Sequence, residues 1–406
     1  MAVFENAVTQ AQGFQASGVH VGVKTSNKSK KDVALIYSDV PCNVAGVFTT
    51  NNVKAAPVLY DMKIVESGTA QAVIINSGNA NACTGQQGLD DAQAMANITA
   101  GALGINADDV LVCSTGVIGH NLPMDRIENG IKQVAGMLSP AGGRDAAEAI
   151  LTTDVYRKEM SKTVDIDGIT ITLGGMAKGS GMICPNMATM LCFITTDAAI
   201  EGDALKKALK EAATLSFNQI SVDGDMSTND TCLLLANGKA GNAVIQYGTP
   251  AYEKFLGVLQ ELCYYLAKKI ARDGEGATHL FEAEVLNAAT HEDALKAAKS
   301  VVSSDLVKAA VFGKDANWGR IICAVGYSGA QFDQYAVDIK LASDVGEITV
   351  AVNGGGLEFD EDYAAKILAE ENVKTIIDLK AGEHSAEAWG CDLTYDYVKI
   401  NADYRT

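Results

Sequence analysis

The stretch Lys178-Gly179-Ser180-Gly181-Met182-Ile183-Cys184-Pro185-Asn186-Met187-Ala188-Thr189-Met190-Leu191 decides how this chain is read, because it joins a glycine-rich loop to an apolar run at a threonine. Gly179 and Gly181 let the backbone take angles other residues avoid, and Pro185 keeps the loop out of a helix or a central strand. Thr189 then opens the run Met190-Leu191-Cys192-Phe193-Ile194, which predicts a buried strand over Thr189–Ile194. A threonine in such a place is ordinarily just a good strand former. Were the peptide bond before it cut, its hydroxyl would gain its own α-amine as general base. That amine titrates at about 7.7 to 8.0, so part of it is neutral near physiological pH.

In order and spacing, these residues resemble the processing site of the ornithine acetyltransferases, or glutamate N-acetyltransferases, of arginine biosynthesis. The resemblance implies a precursor that cuts itself between Ala188 and Thr189, leaving an α chain over 1–188 and a β chain over 189–406. It makes Thr189 the nucleophile that carries the acetyl group. Cys184, five residues before Thr189, is the other nucleophilic side chain in the stretch, and packing is its simpler role.

Working outward, the strand Val110–Cys113 runs into Ser114-Thr115-Gly116-Val117-Ile118-Gly119. Such a segment is either a plain tight turn or one that offers a backbone N–H and a hydroxyl together, as an oxyanion hole requires. The family has the same Ser-Thr-Gly-Val-Ile-Gly motif, and the resemblance assigns oxyanion stabilisation to Thr115 and Gly116. It also assigns substrate contacts to Thr152, with Thr153 beside it, to Lys178, and to Glu275 in the turn Asp273-Gly274-Glu275-Gly276. On residue chemistry alone Lys178 and Glu275 are ordinary exposed charges. By resemblance Glu275 faces the δ-ammonium of ornithine, and Asn401 and Thr406 complete the substrate site. The segment Gly313-Lys314-Asp315-Ala316-Asn317-Trp318-Gly319-Arg320 is a further family-like signature.

Composition narrows the alternatives. A formal charge of −18 argues against nucleic acid or an anionic membrane as partner, since both reward clustered Lys and Arg. No run of 18 apolar residues occurs, and Met1-Ala2-Val3-Phe4-Glu5-Asn6 lacks the basic flank and apolar centre of a signal peptide, so a cytoplasmic enzyme is expected. The nine cysteines are odd in number, with no Cys-x-x-Cys pair, which suits reduced thiols and supplies no zinc site. Ser221 to Asp230 is acidic but fails the calcium-loop pattern, because Gly224 and Leu234 stand at the wrong places; it is expected as a loop near the site. The glycines around Ser180 form neither a dinucleotide fingerprint nor a Walker sequence. No metal or organic cofactor is expected. By the resemblance the two chains form a heterotetramer, and family members differ in whether acetyl-CoA also serves as donor.

The segment pattern predicts a mixed α/β protein throughout. Strands are expected at Val33–Tyr37, Val44–Phe48, Gln71–Asn76, Thr163–Leu173, Val307–Phe312, Val337–Leu341, Glu347–Val352, Ile376–Leu379 and Ala386–Leu393. Helices are expected at Leu89–Leu103, Ala141–Ile150, Asp203–Ser216, Tyr252–Arg272, Glu292–Val302 and near Asp362–Glu370. The resemblance implies layers of helices and sheets, similar to but distinct from the N-terminal nucleophile hydrolases. Two other functions compete: a self-processing aminopeptidase or amidohydrolase on a related scaffold, with water as acceptor, and a non-enzymatic amino-acid-binding protein.

Overall fold

The computed structural model describes residues 5–184 and 190–403. Its strands are β1 (Phe14–Val19), β2 (Val33–Phe48), β3 (Thr69–Asn79), β4 (Val110–Val117), β5 (Lys158–Ile166), β6 (Ile169–Lys178), β7 (Leu191–Thr196), β8 (Ile220–Ser221), β9 (Thr231–Ala236), β10 (Leu280–Ala288), β11 (Asp338–Ser343), β12 (Gly346–Val352), β13 (Gly355–Gly356), β14 (Asn372–Asp378) and β15 (His384–Cys391). The α-helices are α1 (Ala56–Ser67), α2 (Gly85–Leu103), α3 (Met124–Gly136), α4 (Gly143–Ala149), α5 (Gly202–Thr214), α6 (Pro250–Arg272), α7 (His291–Ser303), α8 (Asp305–Phe312), α9 (Trp318–Gly326), α10 (Glu361–Ile367) and α11 (Tyr395–Asp403).

Two mixed sheets organise these elements. The first runs β4-β3-β2-β9-β7-β6-β5, with β1 paired to β2, and the second runs β13-β12-β11-β14-β10-β15-β8. Alternation along β7 explains the layering: Cys192 and Ile194 join the core under α5 and α6, whereas Leu191 and Phe193 join the core on the opposite face. Helix α6 carries Leu259, Leu262, Leu266 and Ile270 into the first of these cores, together with Trp389 and Cys391 from β15. It therefore lies between the two sheets. The far face of the second sheet is covered by α7, where Ala294, Ala297, Ala298 and Val301 pack with Phe281, Ala283 and Val285 of β10. Each fully buried Leu, Ile or Phe contributes about 1.5–3 kcal/mol, so these cores dominate the stability of the layers. The architecture is α/β with alternating layers of helices and sheets.

Several local expectations change. The run Val307–Phe312 is the helix α8, not a strand: Ser304 accepts from the Val307 amide as N-cap, Asp305 sits in the first turn, and Val307, Ala310 and Val311 are buried at helical spacing. The pattern Thr163–Leu173 is two strands, β5 and β6, joined at Asp167-Gly168, whose φ values of 54° and 81° suit a tight hairpin. Strand β6 also continues through Gly174 and Gly175 to Lys178. Val33–Tyr37 and Val44–Phe48 belong to the one strand β2, whose pairing with β3 shifts register between Tyr37 and Cys42. Strand β7 starts at Leu191 rather than Thr189, and 185–189 lie outside the described residues.

Candidate active site

The sequence Ser114-Thr115-Gly116 is the end of β4, not a tight turn. It pairs parallel with β3 up to Gly78 and Asn79, where the register becomes irregular. Gly116 has φ of 138°, and a Cβ there would stand 2.3 Å from the carbonyl carbon of Gly78. Only glycine fits this close approach of two strands. Asn229 fixes the same strand ends, because its side-chain amide donates to Ala80 O at 2.6 Å and to Ser114 O at 2.9 Å.

Lys178 is the last residue of β6 and pairs with Leu191, the first of β7. Its ammonium is buried and donates a long hydrogen bond, 3.4 Å, to Thr115 Oγ1. Because Thr115 accepts from a cation, its own O–H is left to donate elsewhere. Met190 and Leu191 line the same space, and Met190 O accepts from the Thr231 amide at 2.9 Å.

A cavity of about 160 Å³ collects these groups. Among its walls are Thr115, Gly116, Thr152, Thr153, Lys178, Glu275 and Asn401, drawn from six separate parts of the chain. Glu275 follows the end of α6, and Asn401 lies on α11, whose side-chain amide donates to Glu275 Oε2 at 2.7 Å. The segment around Asn401, expected to fray, is thus helical and reaches the cavity. Thr189, Ala188 and Thr406 lie outside the described residues. The alternative nucleophile Cys184 lines a different cavity, with Lys299 and Tyr327.

Sequence reasoning missed the groups beneath this cavity. Lys158 is fully buried, 2.7 Å from Asp154 Oδ1 and 2.5 Å from Asp273 Oδ2. Asp154 also accepts from the amides of Gly179 at 2.7 Å and Thr152 at 3.1 Å, and lies 4.0 Å from the Lys178 ammonium. Asp273 accepts from the Val155 amide, and its carbonyl takes the Ser180 hydroxyl at 2.6 Å. One network therefore ties the Thr152 loop, the Lys178 strand end and the Glu275 turn together. Burial pushes both carboxyls toward neutrality. At Asp154 the ammonium groups of Lys158 and Lys178 and the Gly179 amide overcome it and hold the carboxyl well below the usual range. Asp273 stays above that range, since burial and the charge of Asp154 outweigh its one cation, Lys158. The only sequence signal was Asp154 closing the Leu151-Thr152-Thr153-Asp154 run.

Replacing Lys158 by Met is expected to destabilise the fold by about 3–5 kcal/mol, because two buried carboxylates lose their shared cation. Denaturant unfolding measures this. Adding Asp154→Asn and Asp273→Asn should recover part of the loss, and no recovery would mean that the lysine stem's packing, not its charge, matters here.

The loop from Ser221 to Asp230 lies beside the site. Asp223 accepts from the amides of Met182 at 2.6 Å and Ile183 at 2.8 Å, so its carboxylate orders the chain on the approach to Cys184. Ser227, Thr228, Asn229 and Asp230 line the cavity itself. Tyr397 of α11 donates to the same Asp223 at 3.3 Å; burial and that neighbouring charge raise its phenol.

Comparison with known proteins agrees with this geometry. The profile of the ArgJ family matches residues 15–406. The arginine biosynthesis bifunctional protein ArgJ of Caldanaerobacter subterraneus subsp. tengcongensis is 54% identical over 406 residues, covering all of both chains. A crystal structure of the arginine biosynthesis bifunctional protein ArgJ from Bacillus halodurans is 47% identical, with a TM-score of 0.51, and covers 53% of this chain and all of that one. That of the Mycobacterium tuberculosis ornithine acetyltransferase complexed with ornithine is 42% identical, covering 45% of this chain and 96% of that one, with a TM-score of 0.41. With a family profile spanning nearly its whole length and a relative more than half identical from end to end, this chain belongs to the ArgJ family.

Proposed function

We propose that this chain is the acetyltransferase of arginine biosynthesis that moves the acetyl group of N2-acetylornithine to glutamate through an acetyl ester on Thr189. The observation that carries the reading is the single cavity lined by Thr115, Gly116, Thr152, Lys178, Glu275 and Asn401, with Met190 and Leu191 at its wall. Thr189 is the residue before Met190. Its hydroxyl first attacks the carbonyl of Ala188, and hydrolysis of the resulting ester frees its amine. The chains so formed, 1–188 and 189–406, remain interleaved, because β6 and β7 are neighbours in one sheet.

In the transfer itself the freed amine takes the hydroxyl proton as the oxygen attacks the acetyl carbonyl. The Thr115 hydroxyl and the Gly116 amide receive the oxyanion, with Lys178 polarising Thr115 from behind. Ornithine leaves with the proton, and glutamate enters the same frame and takes the acetyl group. The residues of this path are all the chain's own, and the reaction needs no cofactor. A cytoplasmic location and a heterotetramer of two α and two β chains belong to the same proposal; among the described residues no helix is long and apolar enough to cross a membrane.

An acetyl-transfer assay with acetylornithine and glutamate tests the reading. Formation of acetylglutamate and ornithine in equal amounts supports it, whereas free acetate without need for glutamate would establish a hydrolase. Glu275→Ala should raise KM for acetylornithine at least about tenfold with a smaller effect on kcat, since a lost ammonium contact weakens ground state and transition state alike. An unchanged KM would remove Glu275 from the substrate site.

A further inference from the structure

The catalytic cavity, at about 160 Å³, is too small to hold a nucleotide as well as an acetyl group, yet it does not end blindly. Thr152 also lines a second cavity of about 350 Å³, walled by the loop Lys24-Thr25-Ser26-Asn27-Lys28-Ser29-Lys30-Lys31 and by Gly78, the residue against which Gly116 packs. Four lysines in eight residues, without an acidic residue among them, are an anomaly in a chain of net charge −18. Lys31 is taken up by Asp145 and Glu148. Lys28 and Lys30 form no ion pair among the described residues; the Lys28 ammonium donates only to the Thr25 carbonyl, at 3.0 Å, which leaves its charge uncompensated.

The loop is built rather than loose. Buried Asp32 accepts from the amides of Val21 at 2.7 Å and Val23 at 2.9 Å and from the Asn27 side chain at 3.0 Å. Asn27 in turn accepts from the Lys30 amide at 2.9 Å and donates to the Lys30 carbonyl at 2.7 Å. This holds Lys28 and Lys30 at the rim, with the hydroxyls of Ser26 and Ser29 in the same wall. Ammonium groups interleaved with hydroxyls are the chemistry that receives phosphate oxygens.

We infer that the loop 24–31 receives the phosphates of acetyl-CoA, and that its pantetheine arm passes Thr152 to bring the thioester into the catalytic cavity. This rests on the acetyl-Thr189 reading above. The thioester C–S bond breaks as the C–O bond to the Thr189 hydroxyl forms, and the departing sulfur takes the hydroxyl proton through the α-amine. The resulting acetyl ester is the one that acetylornithine also makes. The two donors therefore share the nucleophile and the oxyanion donors but not the binding surface.

The test compares donors in the wild type and in the variant Lys28→Glu/Lys30→Glu, two exposed positions. KM for acetyl-CoA should rise about tenfold or more, as for reversed charges at a polyanion contact. Exchange between acetylornithine and glutamate should stay within about twofold of wild type, by the same screening of distant exposed charges. Acetyl-pantetheine, which lacks the nucleotide phosphates, should react equally with both proteins. An unchanged KM for acetyl-CoA overturns the inference, as does a parallel loss with both donors. A wild type that uses acetylornithine but not acetyl-CoA also overturns it and leaves the proposed function standing; failure with both donors refutes that function itself. Lys28→Gln/Lys30→Gln repeats the comparison without new negative charge and should give a smaller shift in the same direction.

Discussion

Thr189→Ala is expected to give a single uncut chain with no measurable acetyl transfer. The side-chain hydroxyl is the atom that attacks the Ala188 carbonyl, and the same hydroxyl later carries the acetyl group, so one substitution removes both reactions. The buried strand Leu191–Thr196 and its pairing with β6 and β9 do not depend on that oxygen, and the variant should fold. A denaturing gel and a transfer assay read the two effects separately. Thr189→Ser should keep both reactions at reduced rate, since it keeps the hydroxyl and the amine. Normal cleavage of the Ala variant would show that the cut is made by another agent.

The next largest effect is expected at Thr115. Replacing it by Ala should lower kcat by about 10² to 10³-fold, the usual loss for one oxyanion donor, with KM little changed. The structural argument is the 3.4 Å contact in which Lys178 donates to Thr115 Oγ1, leaving the Thr115 proton for the developing oxyanion. Thr115→Ser preserves that hydroxyl and should restore most of the rate. A large rise in KM with unchanged kcat would make Thr115 a ground-state contact. Gly116→Ala should fail differently, because a Cβ 2.3 Å from the Gly78 backbone forces β3 and β4 apart and costs folding as well as activity.

How much of this could be read beforehand depended on the kind of signal. Thr115, Lys178, Glu275 and Asn401 sit in short local motifs, and the fold then gathers them at one cavity. Asp154, Lys158 and Asp273 carried no such signal: Lys158 meets Asp273 across 115 positions of sequence, and only packing turns an ordinary charge into a buried one. The lysine loop was set aside because the net charge was negative, a global sum that hides a local cluster. Among the elements, Val307–Phe312 misled because its β-branched residues also fit one face of a short helix, with Ser304 deciding as cap. The β5–β6 hairpin was lost because alternation continues on both sides of Asp167-Gly168, and only the positive φ at both residues reveals the turn.

The measurement that bears most directly on the central claim is the mass of the protein's chains after mixing with acetylornithine alone. Ornithine should be released once per active site and then stop, and the fragment beginning at Thr189 should become one acetyl group heavier. Adding glutamate should return that fragment to its original mass and yield acetylglutamate. An acetyl group found on Cys184 or Lys178, or ornithine release that begins only when glutamate is present, would contradict the covalent route through Thr189.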